Sequence, residues 1–175
     1  VNPNAMNGAK EHLAMTTGDF VMIQESTVLL PSVKEVETSA SNAGWRLSVE
    51  ACLVGDGGGP SAGTAVACRN HIGMGISCDD DIMPENVKGR FKLRVMGAVA
   101  KGGINVGSCY LHSSLGITAS VNMEMLQPIA AVLSTVNGPW ILGADWNCTP
   151  EQLTKTGWLR MVGGRIFAPK VDTCN

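Results

Sequence analysis

The stretch WILGADWNCTP, residues 140–150, places side chains that can do chemistry directly after an apolar run. Asp145 and Asn147 follow four apolar or glycine residues, with the bulky Trp146 between them. A carboxylate can bind a metal ion or take a proton, and an amide can orient a phosphate. An aspartate at a strand end is more often a turn former or a helix cap, so this stretch alone does not define a site.

Two other apolar runs also end in polar groups. Glu25 ends DFVMIQE (19–25), and Tyr110 and His112 end INVGSCYLH (104–112). Because ligand sites in α/β sheets lie at the carboxyl ends of strands, we expect these ends to meet. Carboxylates and an amide suit a hard cation such as Mg²⁺, and a nearby histidine can act as an acid or stabilise an oxyanion. Singly, the histidine is more often structural and the tyrosine more often a core aromatic, so the hypothesis depends on their joint occurrence.

The elements that must position these groups alternate between helix and strand patterns. Start and stop signals predict helices at about 7–16 and 31–44, and an apolar face predicts another at 121–136, which Pro128 should kink or restart. Thr149 to Gln152 form a capping box with proline at the first helical position. Strands are predicted for these runs: DFVMIQE, WRLSVEACLV, TAVACR, IGMGI, RFKLRVMGAVA, INVGSCYLH, WILG and the final GGRIFAP. The pattern predicts an α/β layered domain with β-sheet cores and two or three covering helices.

The composition bounds the class of protein. The 175 residues are 45% hydrophobic and 16% charged, which predicts a single folded domain with a substantial core. A net charge of −2 is a poor basis for tight, non-specific nucleic-acid binding, but it allows an enzyme that contacts a few phosphates. The sequence contains no apolar run long enough for a membrane span and no signal-peptide layout. We therefore expect an intracellular protein, with the nucleus as one option.

The six cysteines are never closer than ten positions, so no zinc-binding spacing exists. Several lie within or beside apolar runs, which favours reduced thiols in the core of an intracellular protein. A disulfide framework is the alternative. The cysteines are at positions 52, 68, 78, 109, 148 and 174.

The order of these motifs resembles the endonuclease/exonuclease/phosphatase superfamily. The series is NxN near the start, then IQES, SAGTAVACR, GSCYLHSS and WILGADWNCTPEQL, and the resemblance covers nearly the whole chain. Its most specific parts are Gln24-Glu25 after one strand and the G-x-D-x-N pattern that ends at Asn147. The resemblance implies a four-layer α/β sandwich, an α+β fold in which two packed, mixed β-sheets are flanked by helices. The family includes exonuclease-III-like and deoxyribonuclease-I-like enzymes and the endonuclease domains of non-LTR retrotransposons, and this chain is most similar to the last of these.

The resemblance also implies roles for individual residues. Glu25 would be the principal ligand of Mg²⁺, which Mn²⁺ could replace, and Asn2 would help to hold the metal, with Asn4 as the second choice. Tyr110 would lie at the scissile phosphate and His112 near the leaving oxygen. Asp145 would position or deprotonate the attacking water, and Asn147 would orient the phosphate. The implied reaction is in-line hydrolysis of a phosphodiester.

The chain also departs from the family pattern. Ala144 stands where the family usually has glycine. The family's closing strands and their Ser-Asp-His segment have no counterpart before the chain ends at PKVDTCN. We therefore expect one domain over residues 1–175 that lacks its last strands and part of the first, is weakly active or inactive, and belongs to a longer polyprotein.

Three hypotheses for function follow. The first is a Mg²⁺-dependent DNA endonuclease domain of a retroelement-type protein. The second is a phosphatase or phosphodiesterase of the same superfamily that acts on a lipid or a small phosphoester, which the acidic pI slightly favours. The third is a catalytically dead remnant that serves as a folded or binding module. An intact Ser-Asp-His segment in the parent reading frame would exclude the third hypothesis, and a downstream reverse transcriptase would favour the first.

Overall fold

The computed structural model describes residues 6–55, 58–77, 83–98 and 101–168. Short 3₁₀ turns at Leu30–Ser32 and Glu85–Val87 precede α2 and β7. The remaining elements, in chain order, are α1 Met6–Met15, β1 Phe20–Gln24, α2 Val33–Asn42, β2 Trp45–Glu50, β3 Leu53–Val54, β4 Pro60–Ser61, β5 Thr64–Arg69, β6 Met74–Ile76, β7 Phe91–Met96, β8 Ile104–Tyr110, α3 Ser120–Thr135, β9 Trp140–Asp145, α4 Pro150–Lys155 and α5 Trp158–Met161.

The strands form two main sheets that pack face to face. The first has the order β1-β5-β2 and is antiparallel throughout. The second has the order β6-β7-β8-β9, and only its β8–β9 pair is parallel. Strands β1, β5 and β2 contact β7, β8 and β9 across the gap between the sheets. The approach is close at Gly143, where an added Cβ atom would lie 2.7 Å from the Met22 sulfur, so this position favours glycine.

Three apolar clusters fill the spaces between four layers. The first lies between α1, α2 and the first sheet, and Trp45 and Ile23 are at its centre. The second lies between the sheets around Val66 and Met96. The third joins the second sheet to α3 and α5 and includes Leu126 among its fully buried side chains. The layers are therefore helix, sheet, sheet and helix, which confirms the predicted α+β four-layer sandwich.

Two helix predictions have different outcomes. The capping box of α4 is formed. The backbone N–H of Gln152 donates to Thr149 Oγ1 at 3.3 Å, and the backbone N–H of Thr149 donates to Gln152 Oε1 at 2.8 Å. Pro128, in contrast, does not restart α3, which runs unbroken from Ser120 to Thr135. The apolar face of α3 packs on the core on both sides of the proline, at Met125 and Ile129, and this packing holds the helix together.

The predicted final strand is wrong over its described part. Residues 163–168 of GGRIFAP form no strand, and the side chain of Phe167 is 93% exposed. The Gly164 amide instead donates to the Leu159 carbonyl and closes the end of α5. An apolar run becomes a strand only where a neighbouring strand pairs with it, and within the described residues no strand lies beside this one.

Two further sequence predictions concern thiols and membranes. Cys52, Cys68 and Cys109 are buried free thiols, and Cys148 is a partly buried one. Burial raises the pKa of each of these thiols, to about 12 for Cys109, so less of each is in the reactive thiolate form at neutral pH than in an exposed cysteine. Within the described ranges, every helix is too short or too polar to cross a membrane.

Candidate active site

The ends of three strands meet around the side chain of Tyr110. This tyrosine ends β8 and lies in register with Asp145 at the end of the parallel neighbour β9. Its hydroxyl donates a hydrogen bond to Oε1 of Glu25, which directly follows β1 in the opposite sheet. Both carboxylate side chains are half-buried. The packing of the two sheets therefore brings together three residues that are 85 and 35 positions apart in the chain.

Two of the predicted site residues have a backbone conformation that is uncommon outside glycine. Glu25 has a φ of 52° and Asn147 a φ of 48°, both in the left-handed region. Two hydrogen bonds support the Asn147 conformation. Its backbone N–H donates to Asp145 Oδ1 at 3.3 Å, and its side-chain Nδ2 donates to the Leu111 carbonyl at 3.2 Å. Such conformations are retained where the surrounding structure determines them, and they cluster at functional sites.

The environment of Tyr110 keeps its hydroxyl protonated. Burial raises its pKa to about 12, and the hydrogen bond and charge of Glu25 and the charge of Asp145 add to the effect, while a hydrogen bond with Ser113 opposes it. A phenol with this pKa is a hydrogen-bond donor at neutral pH and carries no charge. Tyr110 can therefore orient the Glu25 carboxylate or donate to a bound anion, and it is a poor base.

The structure adds Arg90, which the sequence reasoning missed. Its guanidinium carbon lies 5.3 Å from the centre of the Tyr110 ring, and its Nη1 donates to the Tyr110 carbonyl at 3.4 Å. Only 8% of this residue is exposed. Burial lowers its pKa, and Tyr110, Cys109 and Glu25 oppose that effect, so it remains a cation. The sequence feature that could have identified Arg90 is its position as a charged residue at the start of the apolar run RFKLRVM. That position brings it to the site because the start of β7 lies beside the end of its antiparallel neighbour β8.

The backbone of His112 is held by one side chain on α3. Oδ1 of Asn122 accepts from the His112 amide at 2.9 Å, and its Nδ2 donates to the carbonyls of His112 and Gly116 at 3.1 and 2.9 Å. Asn122 thus pairs with His112 as a neighbouring strand would. Burial and then the charge of Arg90 lower the pKa of the half-buried imidazole, which is therefore neutral at neutral pH.

We expect Asn122→Ala to destabilise the fold. The side chain is 1% exposed, so its removal leaves backbone donors and acceptors without partners in a buried place. The free energy of unfolding, measured in urea, should fall by about 1–3 kcal/mol. Asn42→Ala, a change at the exposed end of α2, should leave it within about 0.5 kcal/mol of the wild type. Equal stability of the two variants would contradict this role of Asn122.

The predicted metal ligands are only partly within the described structure. Glu25 and Asp145 are the two carboxylates beside Tyr110, whereas Asn2 and Asn4 lie outside the described residues. Within the described part of the chain, no three His, Cys, Asp or Glu side chains cluster closely enough to enclose a metal ion. A dedicated cage of protein ligands is therefore not present among these residues, while a pair of carboxylates is.

Comparisons with known proteins give a structural likeness and no sequence match. No protein family and no curated protein matches the chain. ANGEL2, a 2',3'-cyclic phosphatase, is similar in structure with a TM-score of 0.52 and 16% identity, over 85% of this chain and 43% of that one. The AP endonuclease LMAP from Leishmania major has a TM-score of 0.51 and 13% identity, over 92% of this chain and 65% of that one.

Both of these enzymes have the fold of the endonuclease/exonuclease/phosphatase superfamily. The chain has that fold too, as the sequence resemblance predicted. It spans less than two thirds of the length of either protein. At identities of 16% and 13% the likeness concerns the fold, and the chemistry has to be argued from the side chains.

Proposed function

We propose that the chain is a Mg²⁺-dependent phosphodiester hydrolase domain. The main support for the proposal is that the Glu25 and Asp145 carboxylates and the buried Arg90 guanidinium all lie around Tyr110. Carboxylates that can hold a cation, next to a fixed positive charge, suit an anionic substrate bound through a metal. The two similar enzymes support the proposal, because one is a phosphatase and the other an endonuclease.

The described side chains fit Mg²⁺. This ion prefers oxygen ligands, keeps several of its waters, and is usually bound by one or two carboxylates together with the substrate. Glu25 and Asp145 supply such carboxylates, and Asn2 remains the predicted additional ligand. When bound, the ion would neutralise charge on the phosphoryl oxygens and the leaving group. Mn²⁺ takes the same oxygen ligands and should substitute for it.

Three side chains of the protein have the remaining roles in the reaction. Asp145 positions the attacking water and accepts its proton as the water oxygen bonds to phosphorus, and the bond to the leaving oxygen breaks. Asn147 orients the phosphate with its amide. His112 lies two residues beyond Tyr110, after the end of β8, and its neutral ring has one N–H that can donate to the leaving oxygen.

For the substrate, we propose DNA, cut internally by a domain of a retroelement-type protein. The structural similarity to an AP endonuclease supports a nucleic-acid substrate. A second candidate is a lipid phosphate or small phosphoester, and the similarity to a 2',3'-cyclic phosphatase favours it. The net charge of −2 gives DNA little general attraction, so recognition would depend on the site itself.

Two parallel assays test the function. Supercoiled plasmid and a 2',3'-cyclic nucleotide are each incubated with the chain in Mg²⁺, in Mn²⁺ and in a chelator. We expect slow, metal-dependent conversion of plasmid to the nicked form. Opening of the cyclic nucleotide with intact plasmid would instead support the small-phosphoester candidate. No metal-dependent product in either assay would contradict the proposal and favour a catalytically dead domain.

A further inference from the structure

A pair of polar side chains links the two sheets directly below the candidate site. Gln24 is buried at the end of β1, and its Nε2 donates to Ser108 Oγ on β8 at 2.9 Å and to the Gly143 carbonyl on β9 at 3.2 Å. Ser108 Oγ in turn donates to the Ile23 carbonyl on β1 at 2.7 Å. Hydrogen bonds therefore cross the gap between the sheets in both directions.

These bonds differ in kind from the apolar contacts that fill much of the rest of the gap. The neighbouring inter-sheet cluster consists of side chains such as Val66, Met96 and Val106. Apolar contacts are non-directional, and cores tolerate rearrangements that keep the total volume. A buried amide, in contrast, is costly unless its partners are in place, so it penalises every arrangement of the sheets except the one that satisfies it.

A partly buried ion pair extends the polar layer across the sheets. Nζ of Lys92 on β7 lies 3.0 Å from Oε2 of Glu50 on β2. Lys92 is the register partner of Ser108, while Glu50 and Gln24 are both register partners of Thr64. The two links therefore lie at the same level of the sandwich.

The site begins immediately above this layer. Each of the three strands joined by Gln24 reaches its own site residue within two positions. The pairs are Gln24 at the end of β1 and Glu25 directly after it, Ser108 and Tyr110 on β8, and Gly143 and Asp145 on β9. A slide of one sheet over the other would thus move Glu25 away from the residues on β8 and β9, which are joined by their own backbone pairing.

We propose that Gln24 and Ser108 are positioning residues whose hydrogen-bonded link sets the alignment of the two sheets and thereby places Glu25 against Tyr110 and Asp145. The link does not touch the substrate, and its effect is transmitted through the strand ends. The catalytic part of this inference rests on the proposed function. The geometric part does not, because the contact between Glu25 and Tyr110 can be measured without any reaction.

Tyr110 is a convenient reporter because it is the only tyrosine in the chain. The carbon-13 shift of its Cζ atom, measured with labelled tyrosine, changes on ionisation and with the hydrogen bond of the hydroxyl. Glu25→Ala is the reference, because it removes the carboxylate that accepts the Tyr110 hydrogen bond. This variant shows how the signal changes when the carboxylate is absent.

Two matched serine substitutions provide the test. Ser108→Ala removes the link, whereas Ser48→Ala removes another inter-sheet bond, which Arg94 Nε donates to Ser48 Oγ at 3.0 Å. Ser48 is buried like Ser108 but lies two register positions farther from the site. We expect Ser108→Ala to move the Tyr110 shift in the direction of Glu25→Ala, and Ser48→Ala to leave it at its wild-type value.

Metal affinity gives the second readout. Loss of residues that hold metal ligands in place typically weakens binding by roughly 10–100-fold, so we expect such a rise in the Mn²⁺ dissociation constant for Ser108→Ala and little change for Ser48→Ala. If the wild type binds no metal, the proposed function fails while the Tyr110 signal still tests the positioning role.

Further variants keep the test decisive. Should Ser108→Ala fail to fold, Gln24→Met, which keeps the length of the side chain and removes its polar atoms, is measured in its place. Ser108→Thr retains the hydroxyl and should retain the wild-type Tyr110 signal. A folded Ser108→Ala or Gln24→Met variant with an unchanged Tyr110 shift would overturn the inference, and so would an equal effect of Ser48→Ala.

Discussion

Replacing Glu25 by glutamine should abolish divalent-metal binding while leaving the chain folded. Glutamine has the same shape and can still accept the hydrogen bond of Tyr110, but it lacks the charge that attracts Mg²⁺. The wild type should gain thermal stability when metal is added, since a ligand at 100 times its dissociation constant stabilises the native state by about 2.7 kcal/mol. The melting temperature of Glu25→Gln should not respond to metal.

The matched control for this change is Glu124→Gln on the exposed side of α3. It removes the same charge from an exposed helix position, so its response to metal should equal that of the wild type. Isothermal titration with Mn²⁺ checks both variants directly. Undiminished binding by a folded Glu25→Gln protein would remove Glu25 from the metal site.

Asp145→Asn should remove the hydrolytic activity. The change keeps the size of the side chain and its place beside Tyr110, but an amide cannot accept a proton from water. Loss of a general base typically costs about 10²–10⁴-fold in rate. The initial rate of plasmid nicking in Mg²⁺ should therefore fall to the level of the chelated control.

The control is Asp19→Asn, a change at an exposed position just before β1. It should nick plasmid at the wild-type rate, and circular dichroism should show both variants folded. An Asp145→Asn protein that retained more than about a tenth of the wild-type rate would show that another group activates the water.

The elements of the fold could be predicted because they follow from local patterns. Apolar runs bounded by turn residues marked the strands, and the Thr149 capping box marked the start of α4 to the residue. The run at 163–168 had the same local pattern and failed as a strand, because pairing depends on a neighbour that local sequence does not reveal. Pro128 did not restart α3, because the packing of the helix on the core outweighed the local cost of proline.

The candidate site was predictable only where its residues ended strands. Glu25, Tyr110 and Asp145 have that signal, and the structure brings them together. Arg90 directly precedes β7 and Ser108 lies within β8, so their local sequence did not mark them as site residues. Gln24 was noted only as the neighbour of Glu25 in the family motif, without a role of its own. Their roles come from which strand faces which across the sandwich, and that is a property of the tertiary structure.

The burial of Arg90 has a consequence for how the site would respond to ionic strength. Mobile ions screen exposed charges beyond about 8–10 Å at physiological salt, and they screen buried charges much less. Arg90 is 8% exposed and packs against the face of a buried ring, so counterions have little access to its guanidinium. The affinity of the site for an anion bound through this charge should therefore depend little on salt concentration. Proteins that bind nucleic acids through many exposed lysines differ in this respect, because their affinity falls steeply as salt is added.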